Sequence, residues 1–180
     1  MPGQDFERSL VQCFNSYFET NKTRALAYRN KQYRYTSQVF DIFVDSLDPI
    51  FYLAIECKSI DARSTKRLYY SQYFHNNAKF PQIQRETEHL TKTGRLGLLA
   101  VEVRRGPGKK VHCFLVPWHV LNHSYLCGES GLWPEQITYS VHMDRVKNEY
   151  ALTDELIEEL KSKLIPNRLL RNKRTSWRNK

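Results

Sequence analysis

The sequence predicts an α/β or α+β domain: one mixed sheet with helices on its faces. Three observations predict it. Phe6, Leu10, Val11, Phe14 and Phe18 recur at helical spacing within residues 5–20 and give one apolar face. Two apolar stretches, Gln38 to Asp45 and Ile50 to Lys58, read as strands. The second is nearly continuous apolar, as a central strand buried on both faces must be. Along the whole chain the elements run helix, three strands, helix, two strands, helix. At 180 residues, with 41% hydrophobic and 13% aromatic content, the chain suffices for one domain with a real core. That domain is expected over 1–165, with a basic, solvated tail over 166–180.

Each element has a local reason. After the first helix, Ala25 to Tyr28 forms a strand and Asn30 to Tyr35 a basic, aromatic loop. Asp45 to Pro49 turns the chain between the two strongest strands, because Asp and Pro favour turns. Ser59 to Arg67 is polar and reads as a loop; Leu68 to Phe74 is aromatic-rich and fits no single period. Pro81 suits the first turn of a helix running to about Thr93, and Gly94 and Gly97 stop it. Leu98 to Arg104 and Lys110 to Pro117 form a hairpin around Gly106-Pro107-Gly108. Trp118 to Leu121 is expected to be a short helical or irregular turn. Residues 122–150 are loop-rich, with a strand at Gln136 to Val141. Thr153 caps a last helix over Asp154 to Leu164, with Asp154 and Glu155 favourably placed in its first turn, and Pro166 ends it.

Composition narrows the function. No apolar run approaches the roughly 20 residues that a bilayer span needs, and MPGQDFERSL has no signal-peptide core. A soluble, cytoplasmic protein is expected. Cys13, Cys57, Cys113 and Cys127 are scattered without a Cys-x-x-Cys pair, which predicts reduced, partly buried thiols. The net charge of +9 is clustered. The segment Arg168–Lys180 carries six basic residues and no acid, and Lys22–Arg34 carries five and no acid. Clustered positive charge suits a polyanion, nucleic acid above all.

The most informative segment is DIFVDSLDPIFYLAIECK, Asp41 to Lys58. One strand opens with an acid and its neighbour ends in Glu-Cys-Lys. Strand alternation points Glu56 and Lys58 the same way. Asp41 and Glu56 supply hard oxygens for Mg²⁺, with Mn²⁺ as a substitute, and the Cys57 backbone carbonyl adds another. Lys58 orients the attacking water and neutralises developing charge. Glu7 adds an outer contact if its helix packs beside the strands. Such a site hydrolyses phosphodiesters. Arg24, Arg29, Lys31 and Arg34 before the pair, and Arg63, Lys66 and Arg67 after it, are candidate phosphate contacts. Tyr33, Tyr35, Tyr69 and Tyr70 are candidate stacking platforms that equally suit a core or an interface. His112, His119, His123 and His142, spread over 31 positions, are not read as a second metal site, and His119 near Trp118 is read as a surface or hydrogen-bonded histidine. Neither GxGxxG nor GxxxxGK[ST] occurs.

The pieces FERSL with Glu7, FDIFVD with Asp41 and AIECKSI with Glu56 and Lys58, followed by PQIQRETEHLTKTGRLGLLAVEVR, resemble the PD-(D/E)XK nuclease superfamily and within it the archaeal Holliday-junction resolvases. The resemblance covers roughly residues 4–120. It implies a restriction-endonuclease-like fold, a Mg²⁺-dependent endodeoxyribonuclease and a homodimer with two active sites. It makes Asp41 and Glu56 metal ligands, Lys58 the catalytic lysine, Glu7 the first-helix acid, and either Gln82 or Gln84 the glutamine near the scissile phosphate, with spacing to Gly94 favouring Gln82. Phe40 stands where the superfamily's name has proline, and 122–180 has no clear counterpart. The expected activity is cleavage of branched or structured DNA. The alternatives are a restriction or repair endonuclease on duplex DNA, and a catalytically silent DNA-binding protein on the same fold.

Overall fold

Phe6, Leu10, Phe14 and Phe18 line one side of α1 (Pro2–Thr20), and all four are buried against a sheet. The computed structural model of the protein describes residues 2–30, 39–74, 81–146 and 149–164. In chain order the strands are β1 (Ala25–Arg29), β2 (Ile42–Ser46), β3 (Leu53–Asp61), β4 (Leu68–Tyr69), β5 (Leu96–Arg104), β6 (His112–Pro117), β7 (Gly131–Leu132), β8 (Val141–Val146) and β9 (Glu149–Tyr150). The remaining helices are α2 (Tyr70–Tyr73), α3 (Gln82–Thr93), α4 (Trp118–Leu126) and α5 (Asp154–Leu164).

Among the described residues, seven strands form one sheet in the order β1-β2-β3-β5-β6-β8-β9. Only β3 and β5 pair in parallel; every other neighbour is antiparallel. A parallel pair needs a crossover, and α3 lies in it. Alternation along the strands sorts the core into two layers. Ile42, Val44, Leu53, Ile55, Leu98, Ala100, Cys113, Leu115, Val141 and Met143 face α1 and α5. Ala54, Ile60, Leu99, Val101, Val103, Phe114 and Val116 face α3, α4 and the small β4–β7 sheet. The architecture is thus the expected mixed α/β sheet flanked by helices. The central position expected of the apolar strand is that of β3, third of seven.

A buried acid ties the sheet's far half together. Glu102 on β5 is fully buried, and its carboxylate accepts from Tyr150 Oη at 2.9 Å, from Ser59 Oγ at 3.1 Å and from the Arg104 guanidinium. Arg145 on β8 adds charge at 3.6 Å. A buried carboxylate persists only where partners replace its lost water.

Several elements differ from the expectation. β3 does not start at Ile50: Asp48 Oδ1 accepts from the Ile50 amide at 3.0 Å and closes a 3₁₀ turn over Pro49–Phe51. Nor does it stop at Lys58, because pairing with β5 continues through Asp61↔Arg104 and keeps Ser59 to Asp61 extended despite their polarity. β2 starts at Ile42, since Phe40 has φ 59° and breaks the strand behind it; Gln38 lies outside the described residues. The ambiguous Leu68 to Phe74 becomes β4 and α2, the strand held by pairing with β7. The turn expected at Trp118 to Leu121 continues as helix to Leu126. The strand expected over Gln136 to Val141 is instead a 3₁₀ turn at Pro134–Gln136, and β8 begins only at Val141, where β6 offers a partner. The basic tail and Pro166 lie outside the described residues.

Gly94 ends α3 as expected, with φ 70° in the left-handed region open to glycine. Gly97 has another role. It lies inside β5, where a Cβ would stand 2.4 Å from Leu90 Cδ1 and 2.6 Å from Trp118 Cβ. The absent side chain lets α3 and α4 press onto the sheet. Gly97→Ala should therefore lower stability by about 1–3 kcal/mol through overpacking. Urea unfolding should show it as a lower midpoint at unchanged slope.

Candidate active site

The site forms where β2 and β3 part. Their pairing runs as far as Ile42↔Ile55, and the Asp41 amide donates to the Ile55 carbonyl at 3.1 Å. Phe40, buried and left-handed, then turns the backbone away. A bulky residue in that conformation costs on the order of 1–3 kcal/mol and persists only where its surroundings hold it; here its ring packs 5.1 Å from Trp118. The Cys57 amide loses its strand partner at this point. The Asp41 carboxylate takes that place, accepting the Cys57 N–H at 2.8 Å.

Beyond this point β3 has, among the described residues, β5 alone as a paired strand, and its side chains still alternate. Cys57 packs toward α1, while Glu56 and Lys58 face α3. Lys58 Nζ lies 2.5 Å from Glu56 Oε1 and 5.0 Å from the centre of the Phe74 ring. Gln82, in the first turn of α3, donates from Nε2 to the same Glu56 oxygen at 2.8 Å and to Glu86 Oε1 at 2.7 Å. Gln84 is exposed on the opposite side of the helix, so the structure brings Gln82 to the acids and leaves Gln84 out. Glu7 reaches the region from α1 and is held by Arg29, whose Nε and Nη2 both lie 2.7 Å from Glu7 Oε2.

Glu86 was missed by the sequence reading. It is 1% exposed, and its Oε2 is buried with no hydrogen-bond partner. The available signal was its spacing of four from Gln82, which puts both on one helix face.

Electrostatics follow from this crowding. Burial first, and then Glu56, push Asp41 up to about 7, against the opposing pull of the Cys57 amide and Lys58. Burial and Glu56 likewise raise Glu86 well above the usual carboxylate range. For Lys58, burial favours the neutral amine, but Glu56, Asp41 and Glu86 outweigh it and the net shift is upward, so the side chain stays an ammonium. Among the described residues, the carboxylates of Asp41, Glu56, Glu86 and Glu7 gather with the cations Lys58 and Arg29. The donors are hard oxygens and one of them is orphaned, so the residues fit Mg²⁺.

The candidate DNA contacts are less uniform. Arg29 belongs to the Glu7 pair. Arg24 lies at the other end of β1, since Ala25 pairs Ser46 while Arg29 pairs Ile42 beside Asp41. Arg63 is exposed but forked onto Asp61, with Nε 2.9 Å from Oδ1 and Nη2 2.6 Å from Oδ2. Arg67 donates to the Gly131 carbonyl at 3.2 Å and lies over Tyr69 and Trp133. Lys66 is exposed. Lys31, Arg34, Tyr33 and Tyr35 lie outside the described residues. Tyr70 is core, its hydroxyl donating to Ser124 Oγ at 2.8 Å, while Tyr69 is exposed.

His119 lies at the surface, as expected. His119 and His123 are exposed on α4, but His112 and His142 meet on adjacent strands with Asp144 beside them. The four cysteines are free thiols. Among the described residues no helix is long and apolar enough to cross a membrane.

No protein-family model matches the chain, and no curated protein matches it in sequence. Among solved structures it is similar to that of Hjc, a Holliday junction resolvase from the archaeal hyperthermophile Archaeoglobus fulgidus. The identity is 15% over 88% of each chain, with a TM-score of 0.39.

The raised acids carry a stability signature. In the unfolded chain Asp41 ionises near 4, and in the metal-free fold only near 7. The folded state therefore binds the extra proton between these values, and stability falls as pH rises through that window. Asp41→Asn should remove this loss and stabilise the metal-free protein at pH 7 by a few kcal/mol, while leaving stability at pH 4 nearly unchanged. Thermal unfolding in a chelator across pH 4–8 would show it; an equal effect at both ends would contradict the buried-charge account.

Proposed function

We propose that this chain is a metal-dependent endodeoxyribonuclease of the PD-(D/E)XK type, on a restriction-endonuclease-like fold. Its proposed substrate is branched or structured DNA such as a four-way junction. The observation that carries the reading is the convergence on Glu56 of Lys58 and Gln82 from two different elements, beside an Asp41 fixed at the parting of β2 and β3. A plain surface ion pair needs neither a buried glutamine nor further acids. Clustered basic residues at Lys22–Arg34 and Arg168–Lys180 support a polyanionic partner. A homodimer belongs to the same reading, since two cuts on a two-fold junction need two sites.

Asp41, Glu56 and the Cys57 main-chain carbonyl would hold the metal, which when bound polarises the phosphate and stabilises negative charge. The chain's own groups do the rest. Lys58, kept cationic by Glu56 and steadied over Phe74, orients the attacking water and offsets charge building on the phosphate oxygens. Gln82 fixes the Glu56 carboxylate, its two amide hydrogens divided between Glu56 and Glu86. Glu86 anchors Gln82 in turn.

A cleavage assay on four-way junction, flap, single-strand and duplex DNA, with Mg²⁺ or Mn²⁺, tests this. The junction should be cut, and Glu56→Ala or Lys58→Ala should slow cutting by about 10³-fold or more. Gln82→Ala, one step removed, should cost roughly 10–100-fold. Cutting unreduced in the Lys58 variant would reject the assignment. Preferential cutting of linear duplex would favour a restriction or repair enzyme, and tight binding without cleavage a silent DNA-binding protein.

A further inference from the structure

His142 and Asp144 are two residues apart on β8 and so project from one face of the sheet. Met143 between them is buried on the other. His112 on β6 is paired directly opposite Asp144. The three side chains therefore converge without any loop having to order. His112 Nδ1 lies 2.7 Å from His142 Nε2 and 3.1 Å from Asp144 Oδ1, and His142 Nε2 lies 3.6 Å from the same Asp144 oxygen. A tetrahedral Zn²⁺ with bonds near 2.0–2.1 Å separates its ligand atoms by about 3.3 Å. The observed triangle brackets that value.

We propose that His112, His142 and Asp144 form a binding site for a borderline divalent transition metal, Zn²⁺ above all, distinct from the oxygen-lined centre at Asp41. Two imidazoles and one carboxylate suit zinc and its neighbours, whereas the all-oxygen set suits magnesium. The ligands are pre-oriented: the His142 ring stacks on both His112 and Phe114, with centroids 4.9 and 5.0 Å apart. Arg105, whose charge reaches His112, is itself paired with Glu135 at 2.5 Å, which blunts its opposition to a cation. The half-exposed His142 and Asp144 leave room for a water as fourth ligand. The row Lys58↔Val101↔Phe114↔His142 crosses three strand gaps, so Lys58 and His142 stand about 14 Å apart on one face of the sheet. A metal here would clamp β6 to β8.

The test is calorimetric titration of the metal-stripped 180-residue chain with Zn²⁺, alongside Co²⁺ absorption as a report of tetrahedral geometry. The wild-type chain should take up about one equivalent with a tetrahedral Co²⁺ spectrum and a raised melting temperature. Asp41→Asn/Glu56→Gln should keep that equivalent, while His142→Ala and Asp144→Ala, both at exposed positions, should lose it. Cys127→Ser is the control for an alternative soft site, because Cys127 Sγ lies 3.6 Å from His123 Nε2. No saturable Zn²⁺ uptake, or uptake lost in Cys127→Ser but kept in His142→Ala, would overturn the proposal.

Discussion

The parting of β2 from β3 at Asp41 governs the rest of the structure. A central strand is normally hydrogen-bonded along both edges. β3 gives up one edge after Ile55, and the stranded Cys57 amide must find another acceptor or suffer a desolvation cost of about 1–3 kcal/mol. The Asp41 carboxylate is that acceptor. One hydrogen bond thus satisfies the backbone and plants a carboxylate at a fixed point beside Glu56. The left-handed Phe40 that makes the departure is held by the aromatic layer that also receives α3 and α4, so the strain at the site is held by packing beneath it.

The same geometry makes the centre electrostatically unsatisfied. Glu56 is answered by Lys58 and Glu7 by Arg29, while burial and the neighbouring Glu56 hold protons on Asp41 and Glu86 above their ordinary range. A fold selected for stability alone would replace one of these acids with an amide. The contrast with Glu102 is instructive: equally buried, it is surrounded by a tyrosine, a serine and two arginines, and asks for nothing more.

Much of this was legible locally. The α1 stripe, the β5–β6 hairpin, the Thr153-started last helix and the apolar run of β3 follow from periodicity and turn chemistry, and strand alternation alone puts Glu56 beside Lys58. What was not legible depended on pairing. Ser59 to Asp61 are too polar to announce a strand and are extended because β5 runs beside them. The segment after Leu121 carries weak patterns in both periods, and its helix and strand are set by contact with β5 and β6. Gly97 looks like a helix stop by composition, yet it marks a close approach inside a strand.

By itself the sequence determined which residues alternate, where α3 and α5 run, and that an acid opens one strand while Glu-x-Lys follows on the next. These are properties of a few consecutive residues, fixed by backbone geometry and the periods 2 and 3.6. Only the tertiary structure decided that Gln82 and not Gln84 faces Glu56, that Glu86 stands behind it, that Arg67 staples β4 to β7, and that His112 meets His142 and Asp144. Each of these depends on which strand lies beside which and on how a helix is rotated about its axis. Those are set by packing across tens of residues, where no local pattern reaches.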